Sequence, residues 1–337
     1  MDPILSLENL QVHFRARQGL LGSIPIRAVD GVSLELGRGE TLAVVGESGS
    51  GKTTLGRATL RLIRATGGRI RFEGEEITRS PERSLKSFRR RAQAIFQDPY
   101  ASLSPYMSVF QIVEEPLLVQ GGFSAGERQR RVIQALRSVR LQPAQEFAAK
   151  FPHQLSGGQR QRVGLARTLV LEPHYIVADE PVSMIDASSR AEILYLLREL
   201  QSARGLSFLF ITHDLASARH FADRIAVMYL GRIVELAPAR ELIDRPLHPY
   251  TQALLRAVPE PDAHNRLRMR EVIGGEPPNA ARVPPGCAFH PRCPKIIEGI
   301  CQATRPELVE IGPGHRVACH LYPVSENLAD NAAKQGR

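Results

Sequence analysis

The stretch TLAVVGESGSGKTTLGRATLRLI, residues 41–63, narrows the folds open to this chain more than any other. Thr41–Val45 is a β-branched apolar run of the kind that forms a strand buried in a parallel sheet. It leads directly into Gly46-Glu47-Ser48-Gly49-Ser50-Gly51-Lys52-Thr53, the G-x-x-x-x-G-K-[ST] pattern, and then into a helical pattern from Thr54. Gly46, Gly49 and Gly51 let the backbone wrap around a polyphosphate with its N–H groups turned inward, at a helix N-terminus that favours negative charge. Lys52 suits the β- and γ-phosphates, and the Thr53 hydroxyl suits Mg²⁺.

Such a loop needs a second oxygen ligand for the metal, at the end of another apolar strand. Residues 175–180, YIVADE, supply one. Asp179 fits the Mg²⁺-holding role, since Mg²⁺ takes one or two carboxylates beside water and phosphate oxygens. Glu180 is placed to polarise a water attacking the γ-phosphate. Between the two motifs lies LSGGQRQRVGLARTLVLEP, residues 155–173. Ser156 reads as an N-cap, and Val163, Leu165, Ala166, Leu169 and Val170 keep a helical period until Pro173 ends it. Its two glycines open a helix N-terminus that is an anion site without a lysine.

The order GESGSGKT, LSGGQ, YIVADE resembles the nucleotide-binding subunits of ABC transporters, over residues 4 to about 245. The resemblance implies ATP and Mg²⁺ as ligands, with Glu47, Ser48, Ser50 and Thr54 completing the nucleotide-binding loop. It also implies a Q-loop glutamine at Gln97 that completes the Mg²⁺ set with Thr53 and Asp179, a D-loop aspartate at Asp186, and a switch histidine at His213. Glu180, His213 and Gln97 would be the catalytic residues, and Phe14 an aromatic stacked on adenine. The D-loop reads Ser183-Met184-Ile185-Asp186 where the family more often has Ser-Ala-Leu-Asp. In that family two subunits pack head to tail, so Ser156, Gly157, Gly158 and Gln159 of one would complete the site of the other. One set of motifs therefore requires a second ATPase subunit, identical or paralogous.

IFQDPYASLSPYMSV, HPYTQALLRAVPEPD and GCAFHPRCP are similar to the ATPase subunits of dipeptide/oligopeptide permeases, and extend the resemblance to about residue 323. An importer is implied, with two transmembrane permease subunits and an extracytoplasmic solute-binding protein. Its cargo could be peptide, glutathione, nickel or oligosaccharide.

The formal net charge is +9. Residues 86–167 carry thirteen Lys/Arg against five Asp/Glu, so most of the excess sits in the expected helical subdomain. Docking beside an anionic bilayer or an acidic membrane segment accounts for it, as does a solvated helical surface. A soluble ABC-type ATPase acting on nucleic acid or the ribosome is the alternative. No second cassette or long coiled-coil insertion supports it, and no nucleic acid partner is expected. Met1-Asp2-Pro3 lacks a basic-then-apolar leader, and no apolar run approaches the roughly 18 residues that span a bilayer. A peripheral subunit on the cytoplasmic face of the inner membrane is expected.

All four cysteines, Cys287, Cys293, Cys301 and Cys319, fall in one late segment rich in Pro and Gly. In a reducing compartment they point to a metal or to inert thiols rather than to disulfides. Four thiolates suit tetrahedral zinc or an iron–sulfur cluster, and the close C-x2-C pairs of structural zinc sites are missing. Some permease ATPases with this pattern are associated with a [4Fe-4S] cluster, which makes the cluster the expected cofactor and Zn²⁺ the alternative.

The expected architecture is an α/β P-loop NTPase of ABC type. Residues 1–84 and 171–245 form a RecA-like ATP-binding core, 85–170 an inserted helical subdomain, 246–323 a small irregular cysteine-bearing extension, and 324–337 a polar tail.

Overall fold

A computed structural model of the chain describes residues 2–18, 22–96, 103–183, 185–257 and 280–322. Two long antiparallel strands come first, β1 (Leu5–Gln18) and β2 (Gly22–Leu36), followed by β3 (Thr41–Val45). After the helix Lys52–Thr59, β4 (Gly67–Phe72) and β5 (Glu75–Glu76) return to the free edge of β1. These strands make a four-stranded antiparallel sheet in the order β2-β1-β4-β5.

The main sheet is built from β3 with β6 (Ala92–Ile95), β7 (Tyr175–Asp179), β8 (Ser207–Thr212), β9 (Arg224–Tyr229), β10 (Arg232–Pro238), β11 (Val309–Gly312) and β12 (His315–Val317). Its order is β11-β12-β10-β9-β3-β8-β7-β6. From β9 to β6 the pairs are parallel, and from β9 out to β11 they are antiparallel. Strand β3 is central and wholly buried, as its unbroken apolar run requires of a strand covered on both faces.

Alternation along β3 divides the interior in two. Leu42 and Val44 join one core with the four-stranded sheet and the helix Lys52–Thr59. Ala43 and Val45 join the other, shared with helices from the β6–β7 crossover and from the β7–β9 region. Each fully buried Val or Leu contributes about 1.5–3 kcal/mol. This is the α/β P-loop architecture the sequence leads one to expect.

The β6–β7 crossover carries the helices Val109–Gln120, Ala125–Ser138, Ala144–Ala149 and Gly157–Leu169. Serines open three of them. Ser108 and Ser156 form reciprocal caps with Gln111 and Gln159, and Ser124 accepts the Glu127 N–H. Beyond β10, the helix Pro249–Ala257 is followed by the cysteine-bearing turns and the β11–β12 hairpin, which extends the main sheet. A buried carboxylate fastens that hairpin. Glu235 on β10 accepts the Leu247 and His248 N–H groups at 2.7 and 3.0 Å and pairs with His315 Nε2 at 2.8 Å.

Candidate functional site

The carboxyl ends of β3, β7 and β8 come level, with Val45 opposite Thr212 and Asp179 opposite Ile211, and the motif residues gather there. This is the edge at which ligands bind in open α/β sheets. Gly51 has φ +104°, and a Cβ on it would stand 2.0 Å from the Ala28 carbonyl oxygen of β2. At Gly46 a Cβ would stand 2.2 Å from the Met228 carbonyl oxygen. Only glycine lets the loop pass between these two backbones.

Lys52 donates from Nζ to the carbonyl oxygens of Gly46 and Glu47 at 2.7 and 2.8 Å, and to Ser50 Oγ at 3.4 Å. Burial pulls its pKa down, against the pull of Glu180, Asp179 and Glu47. The next side chain makes the decisive link across the sheet: Thr53 Oγ1 donates to Asp179 Oδ1 at 3.0 Å. Burial raises the Asp179 pKa, and the Thr53 bond opposes that rise. A hydroxyl and a buried carboxylate so placed form a hard oxygen pair, and they fit Mg²⁺. Thr54, like Thr53, is half-buried, while Ser48 and Gly49 are exposed and Ser50 is buried.

Glu180 leaves β7 with φ +47°, a left-handed conformation that costs a non-glycine residue about 1–3 kcal/mol. Its N–H donates to Ile211 O at 2.9 Å, and its own carbonyl accepts both the N–H and the hydroxyl of Ser183. These bonds hold the turn. The Glu180 carboxylate then lies 3.1 Å from His213 Nδ1 just beyond β8.

Ser156 is exposed, and Gly157, Gly158 and Gln159 are half-buried, at the start of their helix. A Cβ on Gly158 would lie 3.2 Å from Ser189 Oγ, in the first turn of the helix Ala187–Arg204 that Asp186 caps through the Ser189 N–H. Buried Gln161 donates to Pro181 O at 2.7 Å, tying this helix to the residue after Glu180. No motif announced that link. Phe14 is 41% exposed on β1, opposite Ile26 and two positions along β2 from the Ala28 that abuts Gly51. Gln97 and Met184 lie outside the described residues.

Two further residues on the outer side of the phosphate loop also escaped the sequence reading. Tyr250 Oη accepts the Glu47 N–H at 2.8 Å, and Arg292 grips the Glu47 carboxylate with both terminal nitrogens at 2.8 and 2.9 Å. Arg292 stands in the HPRC run between two cysteines.

The cysteines are free thiols that sense one another electrostatically. Burial pushes the Cys287 thiol up to about 11, and also raises Cys293 and Cys319. Phe289, Lys295 and Leu321 direct backbone N–H groups at Cys287, Cys293 and Cys319, and the Ile297 N–H reaches Cys301 Sγ at 3.4 Å. Among the described residues, however, no group of three or more His, Cys, Asp or Glu is arranged to hold a metal ion. The expected iron–sulfur or zinc site is therefore not an assembled ligand set here.

The basic excess of residues 86–167 is also less concentrated than the count suggests. Arg131, Arg140 and Arg162 reach Glu172, Glu199 and Glu192, outside the counted segment, while Arg128 and Arg167 pair with Glu114 and Glu115.

Residues 29–183 match the ABC transporter family, and residues 234–301 match the C-terminal region of oligopeptide/dipeptide transporters. A putative peptide import ATP-binding protein of Brucella ovis is 47% identical over 94% of this chain and 97% of its own. The chain belongs to the ATP-binding subunits of ABC transporters. More narrowly, it belongs to the oligopeptide/dipeptide branch, whose C-terminal region it carries. The oligopeptide transport ATP-binding protein AppF of Bacillus subtilis is 47% identical over 95% of this chain and 98% of its own. Among solved structures, the ATP-binding cassette MJ0796, described as a dimer in a post-hydrolysis state with ADP and Pi, is 30% identical with TM-score 0.62, covering 70% of this chain and 99% of its own. CbiO1 of Clostridium perfringens, described as part of the ABC transporter complex cbiONQ, is 30% identical with TM-score 0.63, covering 73% and 92%. This ABC ATPase hydrolyses ATP, and no described helix is long and apolar enough to cross a membrane.

Proposed function

We propose that this ABC ATPase powers the import of peptides, working as half of a head-to-tail nucleotide-binding dimer on the cytoplasmic face of the inner membrane. The observation that carries the reading is the convergence of Lys52, Thr53, Asp179, Glu180 and His213 at one sheet edge, in a chain whose full-length relatives are named for peptide import.

Lys52 and the loop N–H groups take the β- and γ-phosphates, and Phe14 stacks on adenine. Thr53 and Asp179, with Gln97, would hold Mg²⁺, which when bound would neutralise charge on the phosphate oxygens. Glu180 orients the attacking water and accepts its proton. His213, held by Glu180 through Nδ1, keeps Nε2 for the γ-phosphate. From a second subunit, Ser156, Gly157, Gly158 and Gln159 offer a hydroxyl, N–H groups and a helix N-terminus to the same phosphate, with Asp186 at the seam. ATP thereby favours the closed dimer and hydrolysis releases it.

A groove of about 390 Å³ between the core and the helical subdomain is the docking place for a transmembrane permease subunit. Its lining includes the exposed apolar residues Leu62, Phe96 and Val119, with Arg89 and Arg167 beside them. An extracytoplasmic solute-binding protein delivers the cargo. The four cysteines would hold a [4Fe-4S] cluster rather than Zn²⁺ only by drawing together on loading, a reading supported by the N–H groups aimed at the sulfurs.

Co-expression with the permease subunits, reconstitution in proteoliposomes and uptake of labelled di- and oligopeptides with the solute-binding protein test this. ATP-dependent peptide accumulation is expected. Intact ATP hydrolysis with accumulation of another solute class and none of peptide would overturn the cargo.

A further inference from the structure

The second residue of the phosphate loop is held from outside the ATPase core. Glu47 is separated from Arg292 by 245 positions, yet the guanidinium meets both carboxylate oxygens in a fork at 2.8 and 2.9 Å. Only 4% of the Arg292 side chain is exposed. Tyr229 Oη lies 3.5 Å from Arg292 Nη1, and the Phe289 ring packs against the guanidinium. The Glu47 carboxylate is the first cause of the raised Arg292 pKa, so the cation is secure. Shielding of this kind makes a forked Arg–carboxylate pair both strong and directional.

Glu47 is oriented at three atoms. Its carboxylate faces Arg292, its N–H faces Tyr250 Oη, and its carbonyl faces inward to Lys52 Nζ at 2.8 Å. The two peptide planes flanking Glu47 are set by these bonds, and with them the direction of the loop's other N–H groups. Tyr250 is itself packed against Tyr229 and Phe289, so both outer partners of Glu47 rest on one aromatic cluster.

Arg292 cannot shift alone. Its N–H bonds Phe289 O, the Cys293 N–H bonds His290 O, and the Cys287 N–H bonds Cys301 O at 2.8 Å. The grip on the phosphate loop is therefore part of the turn that carries Cys287 and Cys293.

We infer that Arg292 is a positioning residue for ATP: through Glu47 it holds the phosphate loop in its binding shape, so that nucleotide affinity depends on the conformation of the cysteine-bearing turn. The dependence runs both ways, because a coupling between two sites is reciprocal in binding free energy. Whatever alters the turn, whether a ligand on the sulfurs or their modification, changes the loop's readiness for ATP. Occupancy by ATP in turn steadies the turn.

The test uses the full chain. ATP affinity by calorimetry and the KM and kcat of ATP hydrolysis are measured for Arg292→Met, Arg292→Lys and the near-isosteric Glu47→Gln. ATP dissociation constant and KM should rise about tenfold in Glu47→Gln and Arg292→Met, with the larger share of the loss in KM, and Arg292→Lys should recover part of it by keeping charge without the fork. Amide hydrogen exchange over residues 287–293 should slow when ATP binds the wild type, and this response should vanish in Glu47→Gln. A mere anchor for the extension would change thermal stability alone. The inference fails if folded Glu47→Gln binds ATP within about twofold of wild type, or if ATP leaves exchange at 287–293 unchanged in the wild type. Should Arg292→Met not fold, Glu47→Gln decides by itself.

Discussion

Thr53 Oγ1 and Asp179 Oδ1 stand 3.0 Å apart, joining the start of the helix after β3 to the end of β7 across 126 positions of chain. The pair brings a hydroxyl and a buried carboxylate together where the phosphate loop ends. With Thr53→Val the Mg²⁺ concentration for half-maximal ATP hydrolysis should rise roughly tenfold or more, while the fold persists. An unchanged Mg²⁺ requirement would remove Thr53 from the metal site.

Glu180→Gln keeps the shape of the side chain and removes its basicity. Hydrolysis should fall about a hundredfold or more, with ATP retained and a closed dimer visible by size-exclusion chromatography. His213→Ala should lower hydrolysis with less effect on ATP binding. Normal turnover in Glu180→Gln would assign the base elsewhere.

Replacing Ser156 with Arg fills the space before the helix N-terminus and removes the hydroxyl that accepts the Gln159 N–H there. ATP binding to the isolated chain should survive, whereas ATP-driven dimerisation and hydrolysis should be lost. Unchanged ATPase activity would defeat the shared site.

Anaerobically purified protein should be brown, with iron and sulfide each near four per chain. Binding would also draw protons off thiols that burial holds high, so cluster loading should release protons and weaken as pH falls. Colourless protein with one zinc per chain would select the other metal.

His248 is fully buried, and burial holds its ring at about 4 rather than 6.5. The unfolded chain therefore takes up a proton in a window where the folded chain does not, and stability must fall as pH drops from 7 toward 4, levelling off below. The loss from this residue is on the order of 3 kcal/mol. His248→Asn, whose side-chain oxygen can accept the Tyr250 N–H that Nδ1 accepts, should flatten the slope between pH 7 and 5 in denaturant titrations. The same slope in both proteins would place the titration elsewhere.

Much of the fold was legible because its signals are local. A strand, a glycine loop and a helix in direct succession read the same before and after folding, as does the serine cap at Ser156. Periodicity also placed Val163, Leu165, Ala166 and Leu169 on a buried helical face. The basic segment was read less well, because a count along the chain does not include the acids that folding brings to Arg131, Arg140 and Arg162.

The sequence by itself determined the ATPase: residue types within a few positions of one another fix which backbone N–H groups, hydroxyls and carboxylates can meet a phosphate. Only the tertiary structure decided what lies behind the loop. Placing Arg292, Tyr250 and Glu47 together needs β10, the helix Pro249–Ala257 and the Cys287–Cys293 turn to close over β9, and no periodicity encodes a contact across 245 positions. The cysteine segment, which as a sequence stood apart from the chemistry of hydrolysis, is bonded directly to the phosphate loop.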